Sequence, residues 1–497
     1  MSPNITLSWV LALAPEIALL VMLFLVLVYE RLFKPQSSRQ VGLFTAWGGA
    51  AVLLLTVVLY WLFREPNPVW TLNQSVFWGG MMRNDLVTFV FRLMFFSALT
   101  LTSLLSLDVP RLQKIEYYAL LIMATIGFSL MAASTDLIMI YVALETASIS
   151  SYLLAGFYSG QTLSSEAGMK YFVYGAFTTA VMLYGMSLIY GVTGQTNLYV
   201  IGSLFSGEQI AGVQPLLLLA SVLVVVGFAF KTSIVPYHFW SPDVYQGAPT
   251  PFTAFLSTAS KAAGFAIFLR VFLAGVLGPA NTSAEWWAML VAMCIITMVL
   301  GNFVAIFQTN IKRLLAYSSI AQAGYALIGL VTLSQDGSGA TMFYLLMYVF
   351  TNIAAFGVII LISNVTKSDD LKDLSGLNRR SPFLALVMLF AILSLGGIPP
   401  TAGFFGKFFL FKAAVDAGLW WLAGIGILMA FVGLYYYLSI IKVMYLYRSE
   451  EDDVPIPVSR AAQIGLVVSV LLIIYLGVSA GPAFDLTRQA AAAFFPG

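Results

Sequence analysis

The sequence predicts an all-α polytopic membrane protein with about fourteen transmembrane helices, built as two inverted five-helix repeats with interrupted helices 7 and 12. Three observations support this: an apolar composition, a series of long apolar runs, and an internal repeat. Of 497 residues, 60% are hydrophobic and 9% charged, with a mean hydropathy of +0.92, which excludes an ordinary soluble fold. A hydrocarbon core about 30 Å thick takes a run of roughly 18 or more apolar residues as a helix. Such runs cover 8–30, 41–63, 85–107, 117–134, 136–158, 166–191, 215–237, 250–275, 286–308, 313–333, 338–363, 383–416, 418–446 and 462–481.

The first three runs form an N-terminal block, 1–115. Its leading segment MSPNITLSWV has no basic region, so the first run reads as a retained helix and not as a cleaved signal. Runs four to eight occupy 116–280 and runs nine to thirteen 281–447, while 448–497 holds a connector and the last helix. Loops after odd-numbered runs carry thirteen basic residues: Arg31, Lys34, Arg39, Arg111, Lys114, Lys312, Arg313, Lys367, Lys372, Arg379, Arg380, Arg448 and Arg460. The opposite side carries three, Arg64, Arg83 and Arg488. The positive-inside rule then places the odd loops in the cytoplasm and both termini outside. The acidic run Glu450, Glu451, Asp452, Asp453 reads as a solvated connector.

The two middle blocks match each other. At an offset of 173, residues 138–189 fall on 311–362, pairing Ala143 with Ala316, Tyr152 with Tyr325, Gly156 with Gly329 and Tyr171 with Tyr344. With three residues inserted, the segment Gly227 to Lys231 falls on Gly403 to Lys407. Five helices per copy is an odd number, so the second copy enters the membrane upside down, an arrangement that secondary transporters share. Both copies contain a helix breaker beside the paired lysine. Run seven carries Pro236 after Lys231, and Pro removes a backbone donor and clashes with the preceding turn. Run twelve would span about 50 Å at 1.5 Å per residue and contains Gly396, Gly397, Pro399, Pro400 and Gly403 before Lys407. Broken helices leave polar backbone that only water or buried partners satisfy at membrane depth; a simple packing kink is the alternative.

Glu145, Lys231, Lys261 and Lys407 lie inside apolar runs, where a charge costs roughly 2.5–3.5 kcal/mol on insertion scales and marks an ion or proton pathway by default. Three lysines against one carboxylate do not balance as static neutralisation, although a fixed Glu145–Lys231 bridge between two helices is the competing reading. Ser257 and Ser260 flank Lys261 and provide hydroxyls for a file of water. Lys170, Lys412, Lys442, Arg92 and Arg270 lie nearer helix ends and are expected to snorkel. His238, after the break in run seven, either relays protons or caps polar backbone.

One cysteine (Cys294) and one histidine (His238) are too few for an Fe–S cluster or bis-His haem, and the sequence has neither a P-loop nor a dinucleotide fingerprint. The expected site therefore holds no cofactor and no metal.

The segment Lys231-Thr-Ser-Ile-Val-Pro236-Tyr-His238-Phe-Trp240-Ser-Pro242-Asp243, with Ser257-Thr-Ala-Ser-Lys261, Asn310-Ile-Lys312-Arg313 and Gly397-Ile-Pro399 to Lys407, resembles the antiporter-like membrane subunits of respiratory complex I. The N-type branch fits best: the M type has Glu where this chain has Lys407, and the L type continues into a long lateral helix where this sequence stops at Gly497. The resemblance implies proton translocation as part of a proton-pumping NADH:quinone oxidoreductase in the bacterial inner membrane. It also implies a Glu145–Lys231 ion pair, Lys261 as central relay and Lys407 as the link to the far side. NADH, FMN, Fe–S clusters and quinone would reside in partner subunits, and the partners would be other antiporter-like and small membrane-arm subunits. A multi-subunit cation/proton antiporter is the alternative, and a scaffold with a vestigial channel a third.

Overall fold

The computed structural model describes residues 7–33, 39–63, 76–205, 214–276, 284–448 and 455–495. Lys34, Arg64 and the acidic run Glu450 to Asp453 lie outside the described residues. Helices α1 (Leu7–Ala12), α2 (Ala14–Phe33), α3 (Arg39–Phe63) and α4 (Leu86–Ser106) form the N-terminal block, with a two-residue antiparallel strand pair, β1 (Val76–Phe77) and β2 (Met82–Arg83), before α4. There follow α5 (Ile115–Ala133), α6 (Leu137–Ala155), α7 (Thr162–Thr193), the short α8 (Leu198–Phe205), α9 (Gln214–Thr232), α10 (Trp240–Gly247), α11 (Thr250–Phe255) and α12 (Lys261–Leu269). The second half holds α13 (Ala284–Ala305), α14 (Ile311–Val331), α15 (Gln335–Thr366), α16 (Leu377–Arg380), α17 (Pro382–Gly396), α18 (Ala402–Asp416) and α19 (Trp420–Leu446), before α20 (Arg460–Val478) and α21 (Ala480–Ala491).

Among the described residues, twelve helices are long and apolar enough to cross a membrane, and two shorter apolar helices, Ala14–Tyr29 and Pro382–Gly396, accompany them. The protein is an all-α integral membrane protein. Local chemistry sets several helix starts. Asp85, Asp136 and Asn310 stand just before α4, α6 and α14, and each side chain accepts amide hydrogens of the first turn, which otherwise lack partners.

Burial sorts the helices by position. The span Thr250–Gly275, α14 and α15 are almost wholly buried and form the centre, whereas fewer than half of the residues along α3, α7, α19 and α20 are buried, leaving outward faces that a bilayer would cover. The central span is not a uniform helix: π-helical turns at Leu256–Ser260 and Arg270–Val276 flank α12. Neighbouring helices approach closely where side chains vanish. A Cβ on Gly127 of α5 would meet the Ala147 amide nitrogen at 2.6 Å, and one on Gly301 of α13 would meet the Ala321 amide nitrogen at 2.5 Å.

Two expectations about charge are corrected. Arg92 and Arg270 do not snorkel; both are buried in ion pairs. Arg92 meets Glu16 at 2.8 Å and donates to Asn84 and the Ala12 carbonyl, while Ser129 also bonds Glu16. Arg270 is fully buried and forks onto both Asp85 oxygens at 2.6 and 3.0 Å, with further bonds to Thr88 and the Ala132 carbonyl. A carboxylate on or just before a neighbouring helix made the interior reachable for each guanidinium, and single-helix position does not reveal such a partner. Lys170 bridges Glu166 and Asp243, and Lys412 bridges Asp416.

Candidate functional site: a line of buried lysines

Lys231 lies one residue before the end of α9. Ser233 takes a φ of 59°, Pro236 follows, and helical structure resumes at Trp240. The unwound stretch is tied across the molecule: the Val235 amide donates to Thr297 of α13 at 3.1 Å, and the Trp240 indole donates to the Phe230 carbonyl at 3.0 Å. Lys231 is 2% exposed. Its Nζ donates to Ser148 Oγ at 3.1 Å and stands 5.5 Å from the centroid of the Phe128 ring. Glu145, one turn before Ser148 on α6, is half-buried, and its Oε1 has no hydrogen-bond partner. The Glu145–Lys231 pair implied by the resemblance is therefore not a direct contact in this structure. Ser148 holds the ammonium instead.

Lys261, 3% exposed, follows the π-turn and donates to the carbonyl of Ser319 on α14. The wider π-turn is a recurrent feature of functional sites. Of the two hydroxyls flanking Lys261, Ser257 accepts from Asn352 of α15 at 2.7 Å, while Ser260 Oγ has no partner. The Ser319 hydroxyl meets Tyr245 OH at 3.2 Å, which connects this point to α10.

Lys407 occupies the second break. Gly397 caps α17 with a φ of 79°, a left-handed conformation that favours glycine, and the Ile398 amide turns back to the Leu393 carbonyl. The carbonyls of Leu395 and Gly396 are left pointing past the helix end, and Lys407 Nζ donates to them at 2.9 and 3.2 Å. The ammonium thus caps the negative end of α17. A Cβ on Gly397 would come within 3.0 Å of the Lys407 chain. Pro399 and Pro400 form the turn between α17 and α18, as Pro236 does between α9 and α10.

Lys261 and Lys407 are separate in sequence but approach one polar seam from its two ends. Ser318, next to the carbonyl that receives Lys261, meets Tyr437 OH at 2.5 Å. Gln322, one turn further along α14, donates to Tyr437 OH at 2.9 Å and to the Leu395 carbonyl at 3.2 Å, the same oxygen that receives Lys407. Tyr344 OH donates to Gln322 Oε1. Glu145 Oε1 and His238 Nδ1 are buried without a hydrogen-bond partner. The His238 ring stands 4.4 Å from that of Phe239.

No role for Gln322 or Tyr437 is read from the sequence, and Ser318 enters there only as part of the family-like segment that starts at Asn310. A signal was available: the shifted register that places Lys231 on Lys407 also places Lys261 on Tyr437, and the unshifted one places Glu145 on Ser318. Among the described residues, no group of three or more His, Cys, Asp or Glu is arranged to hold a metal.

Residues 134–433, from just before α6 into α19, match the family described as NADH:quinone oxidoreductase/Mrp antiporter, transmembrane. The chain belongs to this family. The NADH:quinone oxidoreductase/Mrp antiporter match thus contains all four ionisable groups and both helix breaks. NADH-quinone oxidoreductase subunit N of Moorella thermoacetica is 44% identical over 467 residues, covering 93% of this chain and 94% of its own. A chain in the structure of respiratory complex I from Thermus thermophilus with bound aureothin is 32% identical, with a TM-score of 0.76 over 95% of this chain and 99% of that one. A chain of the Mrp complex of a Dietzia species shares the fold at 24% identity, with a TM-score of 0.81 over 99% of this chain and 98% of that one.

Proposed function

We propose that the chain is a proton-translocating membrane-arm subunit of a respiratory NADH:quinone oxidoreductase. Protons move through Glu145, Lys231, Lys261 and Lys407, with His238 at the break after α9, and redox chemistry in other subunits drives them. The observation that supports this best is the pair of hydrogen-bonded arms, from Lys261 to Ser319 and from Lys407 through Leu395, Gln322 and Tyr437 to Ser318, that meet at adjacent residues of α14 in a chain 44% identical to a subunit N. Buried lysines without a bound carboxylate are poor structural glue, since an uncompensated charge is costly in a low-dielectric interior. Amines held by neutral carbonyls and hydroxyls can instead exist in either protonation state, and a change of charge on Glu145 biases Lys231 across Ser148.

In this reading the chain carries no redox centre, and NADH, FMN, Fe–S clusters and quinone belong to partner subunits. The partners are other antiporter-like and small membrane-arm subunits in a bacterial inner membrane, with both termini on the periplasmic side. Residues 116–280 and 281–447 act as the two inverted halves of the conduit, and 1–115 and 448–497 flank them. A cation/proton antiporter subunit is the second reading, favoured by the Mrp half of the family description and the shared fold; neighbouring genes for cluster-binding redox subunits argue for the first.

The test is NADH-driven proton uptake by inverted membrane vesicles carrying Lys231→Met, Lys407→Met or Glu145→Gln in the assembled complex. Loss of a positioned proton-transfer group typically costs about 10²–10⁴-fold in the step it serves, so proton uptake should collapse in each. Assembled variants that pump at the unaltered rate would sink the relay.

A further inference from the structure

Gln322 joins the Tyr437 hydroxyl to the Leu395 carbonyl in the seam between Lys261 and Lys407, and its amide cannot readily hand on a proton. On the Lys261 side the chain ends in hydroxyls, Ser318 and Tyr437, at 2.5 Å from one another. On the Lys407 side lies the Leu395 carbonyl. Gln322 joins the two by donating in both directions, at 2.9 Å to Tyr437 OH and 3.2 Å to Leu395 O. A carbonyl oxygen only accepts, so the amide nitrogen must face it, which fixes the orientation of the amide. Its oxygen is taken by Tyr344 OH. With both N–H groups and the oxygen engaged, and the side chain 3% exposed, Gln322 presents only a neutral amide, which is too weak a base to receive a proton and too weak an acid to release one. The Tyr437 hydroxyl receives from Gln322 and shares a further hydrogen bond with Ser318, in which either hydroxyl can donate.

We propose that Gln322 is a gate, closed in this structure, that separates the Lys261 side of the conduit from the Lys407 side. Opening requires the amide to leave Tyr437 and Leu395 O, so that water or the hydroxyl itself can bridge to Lys407. A gate at this point prevents protons from crossing without the driving reaction. This inference rests on the relay reading above and adds to it the position of the barrier. Gln322 is a positioning residue: it acts through Tyr437 and the Leu395 carbonyl.

The gate is tested by two substitutions with opposite expected effects, in the assembled complex in inverted vesicles, with Lys407→Met measured alongside. Gln322→Ala removes the barrier: NADH oxidation continues, but protons taken up per electron fall at least twofold, and a protonophore no longer accelerates oxidation. Gln322→Leu keeps the volume and replaces the amide with an apolar plug: oxidation slows several-fold while the proton yield per electron is retained. Should the alanine variant fail to assemble, Gln322→Glu takes its place, because a carboxyl of similar shape can both accept and release a proton and so gives the same loss of yield. Opposite behaviour of the open and plugged variants supports the gate, since a merely structural role would move both in one direction. Variants that match the unaltered protein, or that fall together with yield and rate in constant ratio, overturn it. If Lys407→Met also pumps normally, the relay reading has failed; if Lys407→Met is dead and the Gln322 variants are silent, only the gate has.

Discussion

Buried charge in this chain is handled in two physically different ways. Arg270 and Arg92 each face a carboxylate with fork geometry and further hydrogen bonds, so their charges are fixed and matched. Lys231, Lys261 and Lys407 have only hydroxyl and carbonyl oxygens within bonding distance, and these stabilise an ammonium while tolerating a neutral amine. The first kind should behave as structure, the second as machinery. Removing one partner of a buried ion pair typically costs about 3–5 kcal/mol because the other is left uncompensated. Asp85→Asn should therefore lower the thermal stability of the subunit in the purified complex and reduce assembled yield, whereas proton yield per electron in the complexes that do assemble stays unaltered. A normal melting temperature in Asp85→Asn would mean that Arg270 finds other compensation.

At the scale of helices, the short α10 between the first break and α11 is the element most dependent on charge. Asp243 accepts from Lys170 of α7 at 2.6 Å and from Arg313 of α14 at 2.6 Å, so one carboxylate fastens α10 to both halves of the chain. Burial by itself would raise this carboxyl, but the hydrogen bonds and charges of Lys170 and Arg313 outweigh it and hold Asp243 below the ordinary value of 3.8. For a carboxylate depressed in the folded state, the stabilisation is present above the unfolded value and disappears as pH falls through the folded one. Amides of residues 240–247, which follow the unwound stretch, should keep their hydrogen-exchange protection from neutral pH down to about 4 and lose it below. Asp243→Asn should show weak protection throughout; a variant protected as well as the unaltered chain at neutral pH would remove the clasp. Much of this level was legible in the sequence, because Pro236, Gly397, Pro399 and Pro400 announce helix ends through backbone geometry alone. The partners of Asp243 were not legible, since α7, α10 and α14 meet only after packing. The same limit explains Arg92 and Arg270, and Gln322 and Tyr437, whose roles depend on neighbours more than 70 residues away.

For the molecule as a whole, the arrangement of Lys and Arg in loops gives a sense of direction that the packing of helices does not contain. The two helix breaks, after α9 and after α17, do not by themselves say which side is inside, and the basic loops supply that sense. Lys372 lies exposed in the basic segment after α15, on the face expected to be cytoplasmic, and Gln195 is exposed after α7, on the opposite face. The single cysteine, Cys294, is buried, so Cys294→Ser leaves a background free of thiols. On that background Lys372→Cys should react with a membrane-impermeant maleimide only in inverted vesicles, and Gln195→Cys only in right-side-out ones. The reverse pattern would place both termini in the cytoplasm and turn the Lys231-to-Lys407 direction of the conduit around; labelling of both positions from one side would contradict the number of crossings between α7 and α15. Because the driving reaction can do work only if protons leave on the side opposite to where they are taken up, this orientation decides whether Lys407, in the relay proposed above, would release protons outward or receive them.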